Sequence, residues 1–466
     1  MSELDTIVAI ATPPGRGAIG IVRISGPAAA RIADALLGHR PRPRYATLAT
    51  FRDADGAAID AGLALHFPAP HSFTGEDSLE LHAHGGPIVL DALVQRCIAL
   101  GCRPARPGEF SERAFLNGKI DIAQAEGVAD LIDAASIAAA RAAVRSMQGA
   151  LSARVHALQA ELTALRVRVE AAIDFPDEEV PMLDDGDVAT GLARLRAAIE
   201  ALRNDAQRGV RLVEGLTVVI AGKPNAGKSS LMNRLAGDEV AIVTDVPGTT
   251  RDLLRHSVLE GGVPLHLVDT AGLRISGDAS EAEGIRRARA AIARADLVLY
   301  VVDAAHEDPD RGALGTEMAA LAPGVPLTIV LNKIDLIGVD ARAATPRPNS
   351  PGAPSPCAPV PVLPDCIELS ARTGAGVDRL RARLRANAGE QSSEASVVSA
   401  RRRHLEALER AAAHLGDAER VRRDIGAPEL VAEELRCVQA ALGEITGEFT
   451  SEDLLGEIFR NFCIGK

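Results

Sequence analysis

The chain has 466 residues, which at roughly 150 per domain points to about three domains. A content of 47% hydrophobic and 24% charged residues is that of a folded globular protein and excludes a disordered or collagen-like chain. Lys+Arg 51 against Asp+Glu 63 gives a net charge of -12, and aromatics make up 2% with no Trp. Together these exclude an indiscriminate nucleic-acid coat and a broad base-stacking surface, while leaving room for a local basic patch.

Residues 1 to about 118 read as mixed α and β. Short apolar runs (Ile7–Ile10, Ala18–Ile24, Leu63–Phe67) are separated by turns such as Pro13-Pro14-Gly15, with a helical stretch near Pro87–Leu100. From about 120 the chain becomes Ala-rich. Val144, Met147, Leu151, Val155, Leu158, Leu162, Leu165, Val169 and Ile173 recur at steps of three and four. That stripe predicts one helix of about eight turns, ended by Phe175-Pro176. A second helical run covers about 188–208.

At Leu216 the texture switches. The apolar runs Leu216–Ala221, Leu265–Val268, Leu297–Val302 and Leu327–Leu331 alternate with helical segments, the signature of βα units on a parallel sheet. A Pro-rich stretch between Asp340 and Asp365 predicts a mobile surface loop. After about 385 helix returns, over Leu405–Leu415, then Val431, Leu435, Val438 and Leu442, then Leu454–Phe462 behind the cap-like Thr450-Ser451-Glu452-Asp453. Helical texture on both sides of an α/β block points to one helical domain interrupted by an insertion; two separate helical domains are the alternative.

The six cysteines (Cys97, Cys102, Cys357, Cys366, Cys437, Cys463) contain no C-x-x-C pair, so neither a disulfide framework nor a zinc knuckle is indicated. The acidic start, Met1 to Asp5, lacks the apolar core of a signal peptide, and no run approaches the roughly 18 apolar residues of a membrane span. The expected setting is cytoplasmic, with no membrane partner.

The chemistry concentrates after Ala221. Gly222-Lys223-Pro224-Asn225-Ala226-Gly227-Lys228-Ser229 fits G-x-x-x-x-G-K-S between a predicted strand and a predicted helix, Ser230–Leu235. Backbone N–H groups there wrap phosphates, Lys228 neutralises β/γ oxygens, and the Ser229 hydroxyl suits Mg²⁺. Asp269-Thr270-Ala271-Gly272 follows an apolar strand, placing Asp269 near Mg²⁺ and the Gly272 amide near the γ-phosphate. Asn332-Lys333-Ile334-Asp335 closes another strand; its aspartate accepts from the ring N–H and exocyclic amine of guanine, which adenine cannot offer. Ser370-Ala371-Arg372 supplies a backbone amide for guanine O6. Four motifs in order predict a GTP site. Leu273 stands where many GTPases place a water-orienting glutamine. Asn225 and the segment Thr244–Asp252 are the visible substitutes. Either their oxygens hold a monovalent cation in place of an arginine finger, or the segment is an ordinary switch loop whose Thr250 ligates Mg²⁺.

TIVAIATPPGRGAIGIVRISGP at 6–27, SFTGEDSLELHAHGGP at 72–87, RPGEFSERAFLNGKIDIAQAE at 106–126, GKPNAGKSS, TDVPGTTRD and the final Phe462-Cys463-Ile464-Gly465-Lys466 resemble the MnmE (TrmE) family of bacterial tRNA modification GTPases. The resemblance runs nearly from end to end. It implies a homodimer that works with the FAD-dependent protein MnmG, in a heterotetramer or larger complex, to modify C5 of the wobble uridine (U34) of certain tRNAs. It implies a 5-formyltetrahydrofolate-type one-carbon donor and a GTPase activated by K⁺-dependent G-domain dimerisation.

By the same resemblance Asn225, Thr244, Val246 and Thr249 match potassium ligands, and Ser229 and Thr250 match magnesium ligands. Glu281 matches the residue that orients the attacking water, with Glu283 a rival. The expected catalytic set is therefore Glu281, Asn225, Lys228 and Thr250. The GTP contacts run over Asn225, Ala226, Gly227, Lys228, Ser229 and Ser230; Thr244, Asp245, Val246, Pro247, Gly248, Thr249 and Thr250; Asp269, Thr270, Ala271 and Gly272; Asn332, Lys333 and Asp335; and Ser370, Ala371 and Arg372. Folate contacts correspond to Arg23, Glu80, Lys119 and Lys466, a carboxylate suiting the donor face of a pterin and cations suiting glutamyl carboxylates. Cys463 is a candidate functional thiol.

The expected architecture is multidomain α/β plus α. An α+β folate-binding and dimerisation domain covers 1–118. A helical domain is built from 119–213 and 386–466, around an inserted Ras-like P-loop GTPase domain with a parallel sheet at 214–385. Two weaker signals remain. Glu80, His82 and His84 share one strand face, which permits a metal site but more simply makes pocket lining. Arg401-Arg402-Arg403-His404 and the arginines of the long helix are either a phosphate patch for tRNA or solvated faces.

Overall fold

The computed structural model describes residues 5–174, 185–237, 255–269, 290–306, 324–337, 365–388, 397–448, 458–459, 462 and 465. The chain divides into two units, one of residues 1–129, 146–199 and 407–466, the other of 130–145 and 200–406.

In the first unit, β1 (Thr6–Ile10), β2 (Gly17–Ser25), β3 (Thr47–Arg52), β4 (Ala58–Phe67), β5 (Ser78–Gly85) and β6 (Cys102–Pro104) form a sheet in the order β3-β4-β5-β2-β1-β6. All neighbours are antiparallel except β1 and β6. The two-residue period of the strands decides what each face carries. Val22, Ile24, Leu79 and Leu81 point into a core with Ile32 and Leu36 of α1 (Ala29–Leu37) and Leu93 of α2 (Pro87–Ala99). The intervening residues, Arg23 and Glu80, therefore share the opposite face, where they stand directly across from one another in register.

Beyond the sheet, α3 (Glu109–Leu116) and α4 (Ile122–Ile132) contribute Phe115, Ile122 and Ala125 to a cluster closed by Ile458, Phe459 and Phe462 from the far end of the chain. The expected eight-turn helix is two helices, α5 (Ile137–Met147) and α6 (Ala150–Asp174). The break falls at Gly149, whose φ of +85° lies in the left-handed region where a helix ends. On α6, Leu151, Val155, Leu158, Leu162, Leu165 and Val169 are buried. The helix packs against α11 (Pro428–Thr446), with Arg166 bonded to Gln439 and Gln159 Nε2 donating to Glu448 Oε2 at 2.8 Å. The run predicted for 188–208 is longer than expected, forming α7 (Asp185–Glu214). Its Arg196 pairs at 2.7 Å with Glu419 of α10 (Arg402–Arg420). A π-helical turn, Val421–Ile425, leads from α10 towards α11.

The second unit holds β7 (Leu216–Ala221), β8 (Arg255–Glu260), β9 (Val263–Asp269), β10 (Leu297–Asp303), β11 (Leu327–Asn332) and β12 (Asp365–Glu368), ordered β12-β11-β10-β7-β9-β8. Pairing is parallel except for β8 on β9. The inner strands are buried on both faces, which is why they read as unbroken Val/Leu/Ile runs. Helices α8 (Lys228–Ala236) and α9 (Val377–Ala388) pack Leu231, Leu235, Leu380 and Leu384 against the sheet. Edge strand β8 is pinned through buried Glu260, which accepts from Arg381 at 2.8 Å and Arg385 at 2.9 Å on α9.

Candidate functional site

Strand β7 lies between β10 and β9, so the loop leaving its C-terminal end opens at the centre of the sheet, the usual place for a ligand in an open parallel fold. Gly222 turns that corner at φ +140°, where an added Cβ would sit 2.2 Å from Val301 O. Asn225 holds φ +64°, a left-handed conformation that asparagine tolerates better than most side chains. Gly227, at φ +93°, delivers the chain into α8, whose first residues are Lys228, Ser229 and Ser230. The buried Lys228 Nζ donates to Gly222 O at 2.9 Å and Lys223 O at 2.8 Å, bracing the loop from inside. The Ser229 hydroxyl donates to Asp269 Oδ2 at 3.1 Å. These two hard oxygens, one on the first turn of α8 and one at the end of β9, would suit Mg²⁺ as ligands beside bound phosphate.

The other end of the cleft is organised by Asn332, only 2% exposed at the end of β11. Its Nδ2 donates to Ala226 O in the phosphate loop at 2.9 Å, and its Oδ1 accepts from Ala371 N–H at 2.9 Å. One amide thus ties the Gly222–Ser229 loop to the loop that carries Ser370–Arg372. Lys333 adopts φ +65° and reaches Asp303 Oδ2 at 2.6 Å. Asp335 Oδ1 accepts from the Ser370 hydroxyl at 2.6 Å, and its Oδ2 accepts from Arg372. The Ser370 hydroxyl and the Arg372 guanidinium hold the Asp335 carboxyl below the usual carboxylate range. Neither the Asn332 bridge nor the Arg372–Asp335 pair was visible in the sequence, since each joins motifs separated by tens of residues.

On the first unit's sheet, Arg23 Nε donates to Glu80 Oε1 at 2.9 Å, and His82 Nε2 lies 3.3 Å from Glu80 Oε2. The guanidinium of Arg23 lies 5.8 Å from the Phe73 ring centre and 5.9 Å from that of Phe110, aromatic partners the sequence did not announce. The loop that carries Phe73 also receives Lys119, whose Nζ donates to Pro70 O at 3.0 Å. Gly465 closes on the end of β1: a Cβ there would lie 2.4 Å from Ile10 O. Ile10 follows Ala9, and Ala9 faces Arg23 across the strand pair. The penultimate residue of the chain is thus brought to the edge of the Arg23–Glu80 site.

His84 leaves this group: its ring meets Asp60 Oδ1 at 2.8 Å, while His82 stays with Glu80. The three do not converge as metal ligands. Among the described residues, the one converging donor set is His414, Asp417 and Glu434. There His414 is already paired with Glu434 at 2.7 Å and Asp417 with Arg420. The arginine run at 401–403 is likewise engaged. Arg401 Nη2 lies 2.8 Å from Asp130 Oδ1, and Arg402 N donates to Glu214 Oε1 at 3.0 Å. Thr244, Asp245, Val246, Pro247, Gly248, Thr249, Thr250, Thr270, Ala271, Gly272, Leu273, Glu281, Glu283, Cys463, Lys466 and the Pro-rich stretch lie outside the described residues.

An anion-binding loop at one end and a carboxylate suited to paired N–H donors at the other ask for a guanine nucleotide, and the class this defines is the P-loop GTPase. The comparisons carry the assignment further. Residues 6–119 match the GTP-binding protein TrmE N-terminus, and residues 122–463 match the MnmE helical domain. The tRNA modification GTPase MnmE of Methylococcus capsulatus is 55% identical, covering 100% of this chain and 99% of that protein. Those of Yersinia pseudotuberculosis and Sodalis glossinidius are 54% and 53% identical, each covering both chains completely. The solved structure of Aquifex aeolicus Era bound to GDP and AlF4- is 25% identical, with a TM-score of 0.27 over 43% of this chain and 66% of that one, too partial an overlap to add weight. The chain belongs to the MnmE (TrmE) family of tRNA modification GTPases.

Proposed function

We propose that this protein couples GTP hydrolysis to modification of C5 of the wobble uridine of certain tRNAs. It acts as a homodimer together with an FAD-dependent MnmG partner and adds an aminomethyl-type or carboxymethylaminomethyl group. The observation that supports this best is the presence, in one chain, of a guanine-nucleotide cleft and a separate Arg23–Glu80 site. Glu80 offers acceptors to the amino face of a pterin, and Arg23, Lys119 and Lys466 offer cations to glutamyl carboxylates. A 5-formyltetrahydrofolate-type ligand bound there supplies the one-carbon unit.

In the GTP cleft, Lys228 neutralises phosphate charge, and Ser229 with Thr250 holds Mg²⁺. Asn225, Thr244, Val246 and Thr249 hold K⁺, whose charge takes the place of an arginine finger, while Glu281 orients the attacking water. Asp335 selects guanine. The domain limits that go with this reading are 1–118, 119–213 with 386–466, and 214–385. The test is mass spectrometry of tRNA nucleosides from cells lacking the protein. Loss of the C5-aminomethyl-type uridine, restored by the intact chain and not by Arg23→Ala, is expected. Unchanged modified uridine would refute the reading.

A further inference from the structure

The contact between Arg372 and Asp335 has a consequence for how the GTP cleft is filled. Arg372 Nε lies 3.1 Å and Nη2 2.6 Å from Asp335 Oδ2. A guanidinium presents these two N–H groups side by side in one plane. Guanine presents its ring N–H and exocyclic amine in the same way. Asp335 Oδ1 accepts from the Ser370 hydroxyl at 2.6 Å, and both Arg372 donors converge on the second oxygen. A carboxylate has about four acceptor positions; with one taken by Ser370 and two by Arg372, a base that needs two must displace at least one Arg372 N–H.

We infer that Arg372 is a built-in competitor of the guanine base, holding Asp335 in the manner of the ligand and withdrawing when the ligand arrives. This rests on the reading of Asp335 as the guanine-selecting carboxylate and adds a regulatory element to it.

The surroundings confine the motion to one side chain. The backbone of the loop is fastened by Arg234 on α8, whose Nε donates to Ala371 O at 3.0 Å and Nη2 to Arg372 O at 2.7 Å. Ser370 O accepts from Gly374 N at 2.9 Å, and Ala371 N–H is held by Asn332. The Arg372 side chain itself is 75% exposed, so it swings into water without uncovering apolar surface or breaking the loop. An exchange of this kind leaves Asp335 paired both before and after the base binds. It also lowers affinity for GTP and GDP alike and offers a departing base a replacement at the carboxylate, which favours turnover of nucleotide.

The experiment uses the full chain and a fluorescent GDP, with affinity and dissociation rate measured for the wild type, Arg372→Ala, Arg372→Lys and Asp335→Asn. Exposed ion pairs of this type imply that Arg372→Ala binds about two- to fivefold more tightly. Arg372→Lys, which keeps the charge without the planar fork, should fall between. Thermal unfolding of each variant shows that the fold is intact. Equal or weaker binding by Arg372→Ala would overturn the inference, because the arginine would then be neutral or would itself hold the base. The underlying reading fails separately. Asp335→Asn should shift preference from guanine to xanthine nucleotides, since xanthine carries a carbonyl where guanine carries its amine. If that shift is absent, the assignment of Asp335 is wrong; if it is present and Arg372→Ala does not tighten binding, only the competitor is.

Discussion

Asn332 offers the sharpest test of how the cleft is held in shape. Replacing it with alanine removes both bonds of a side chain that is 2% exposed. The Ala226 carbonyl and the Ala371 N–H, in residues 2% and 5% exposed, lose their partner. Each buried group left unsatisfied costs about 1–3 kcal/mol, so the pair costs about 2–4 kcal/mol once partial relaxation is allowed. Expressed wholly as lost nucleotide affinity, that is about 30- to 700-fold. Asn332→Asp separates the two bonds. It keeps an acceptor for Ala371 and sets a carboxylate oxygen against Ala226 O, so it should lose the link to the phosphate loop alone. Gly227→Ala attacks the same junction from the other side, since its Cβ would fall 2.2 Å from Asn332 Nδ2 at a φ of +93°. Titration with fluorescent GDP, paired with thermal unfolding, reads both consequences. An Asn332→Ala protein that binds GDP within about twofold of the wild type and unfolds at the same temperature would refute the bridge, since even one unsatisfied group should exceed that.

Acid sensitivity follows from Glu109, whose side chain is 2% exposed. Burial alone would raise its pKa, but bonds from Arg103, the Arg106 backbone N–H and Arg113 bring it from 4.5 to about 2. A carboxylate depressed on folding stabilises the protein fully above its unfolded value, and that contribution is lost as pH falls from about 4.5 to about 2. The loss is about 3 kcal/mol. Urea unfolding over that range should show it, and Glu109→Gln should flatten the profile while lowering stability at neutral pH. His66 is also buried, which lowers its pKa below 6.5. Its neutral form contributes stability present above 6.5 and lost as pH falls through the lowered value, so His66→Phe should remove an earlier phase of the same profile. GTP hydrolysis should run faster in K⁺ than in Na⁺ and lose that difference in Asn225→Ala. Equal rates in both salts would remove the cation from the mechanism and leave the GTP cleft untouched.

What the sequence disclosed and what it concealed divide along physical lines. The phosphate loop was legible because all its parts are contiguous. Glycines at two of the three left-handed backbone angles, an asparagine at the third, a lysine and a hydroxyl fall within eight residues, after a run apolar enough to be an inner strand. The α6 face was legible because burial on a helix repeats every three or four residues. Gly149 was not read as a break, since the apolar spacing continues across it and only the backbone angle reveals the corner. Strand β8 was missed because it lies at the sheet edge, where one side is unpaired and burial need not produce an apolar run. Arg23 and Glu80 were assigned to one site by resemblance alone. Their direct bond depends on a register between β2 and β5, which a strand's own residues do not encode.

The charge balance takes on a different meaning once pairings are known. A net charge of -12 argued only against indiscriminate nucleic-acid binding, and the run 401–403 was a local exception that offered positive charge to phosphate. Two of its three arginines are engaged inside the unit that carries them, Arg401 with the buried Asp130 and Arg402 with Glu214. On the long helix, Arg166 is bonded to Gln439 and Glu170. Salt weakens exposed pairs, but Asp130 is 4% exposed, and moving Arg401 to a phosphate would break its bond to that buried carboxylate. Arg401 is thus committed to a buried carboxylate, which makes its neighbours the readier donors for a phosphate. With 2% aromatics there is also little in this chain to stack an extruded base. Under the proposed function, then, this chain's contacts with a target uridine would rest on hydrogen bonds and charge rather than on stacking.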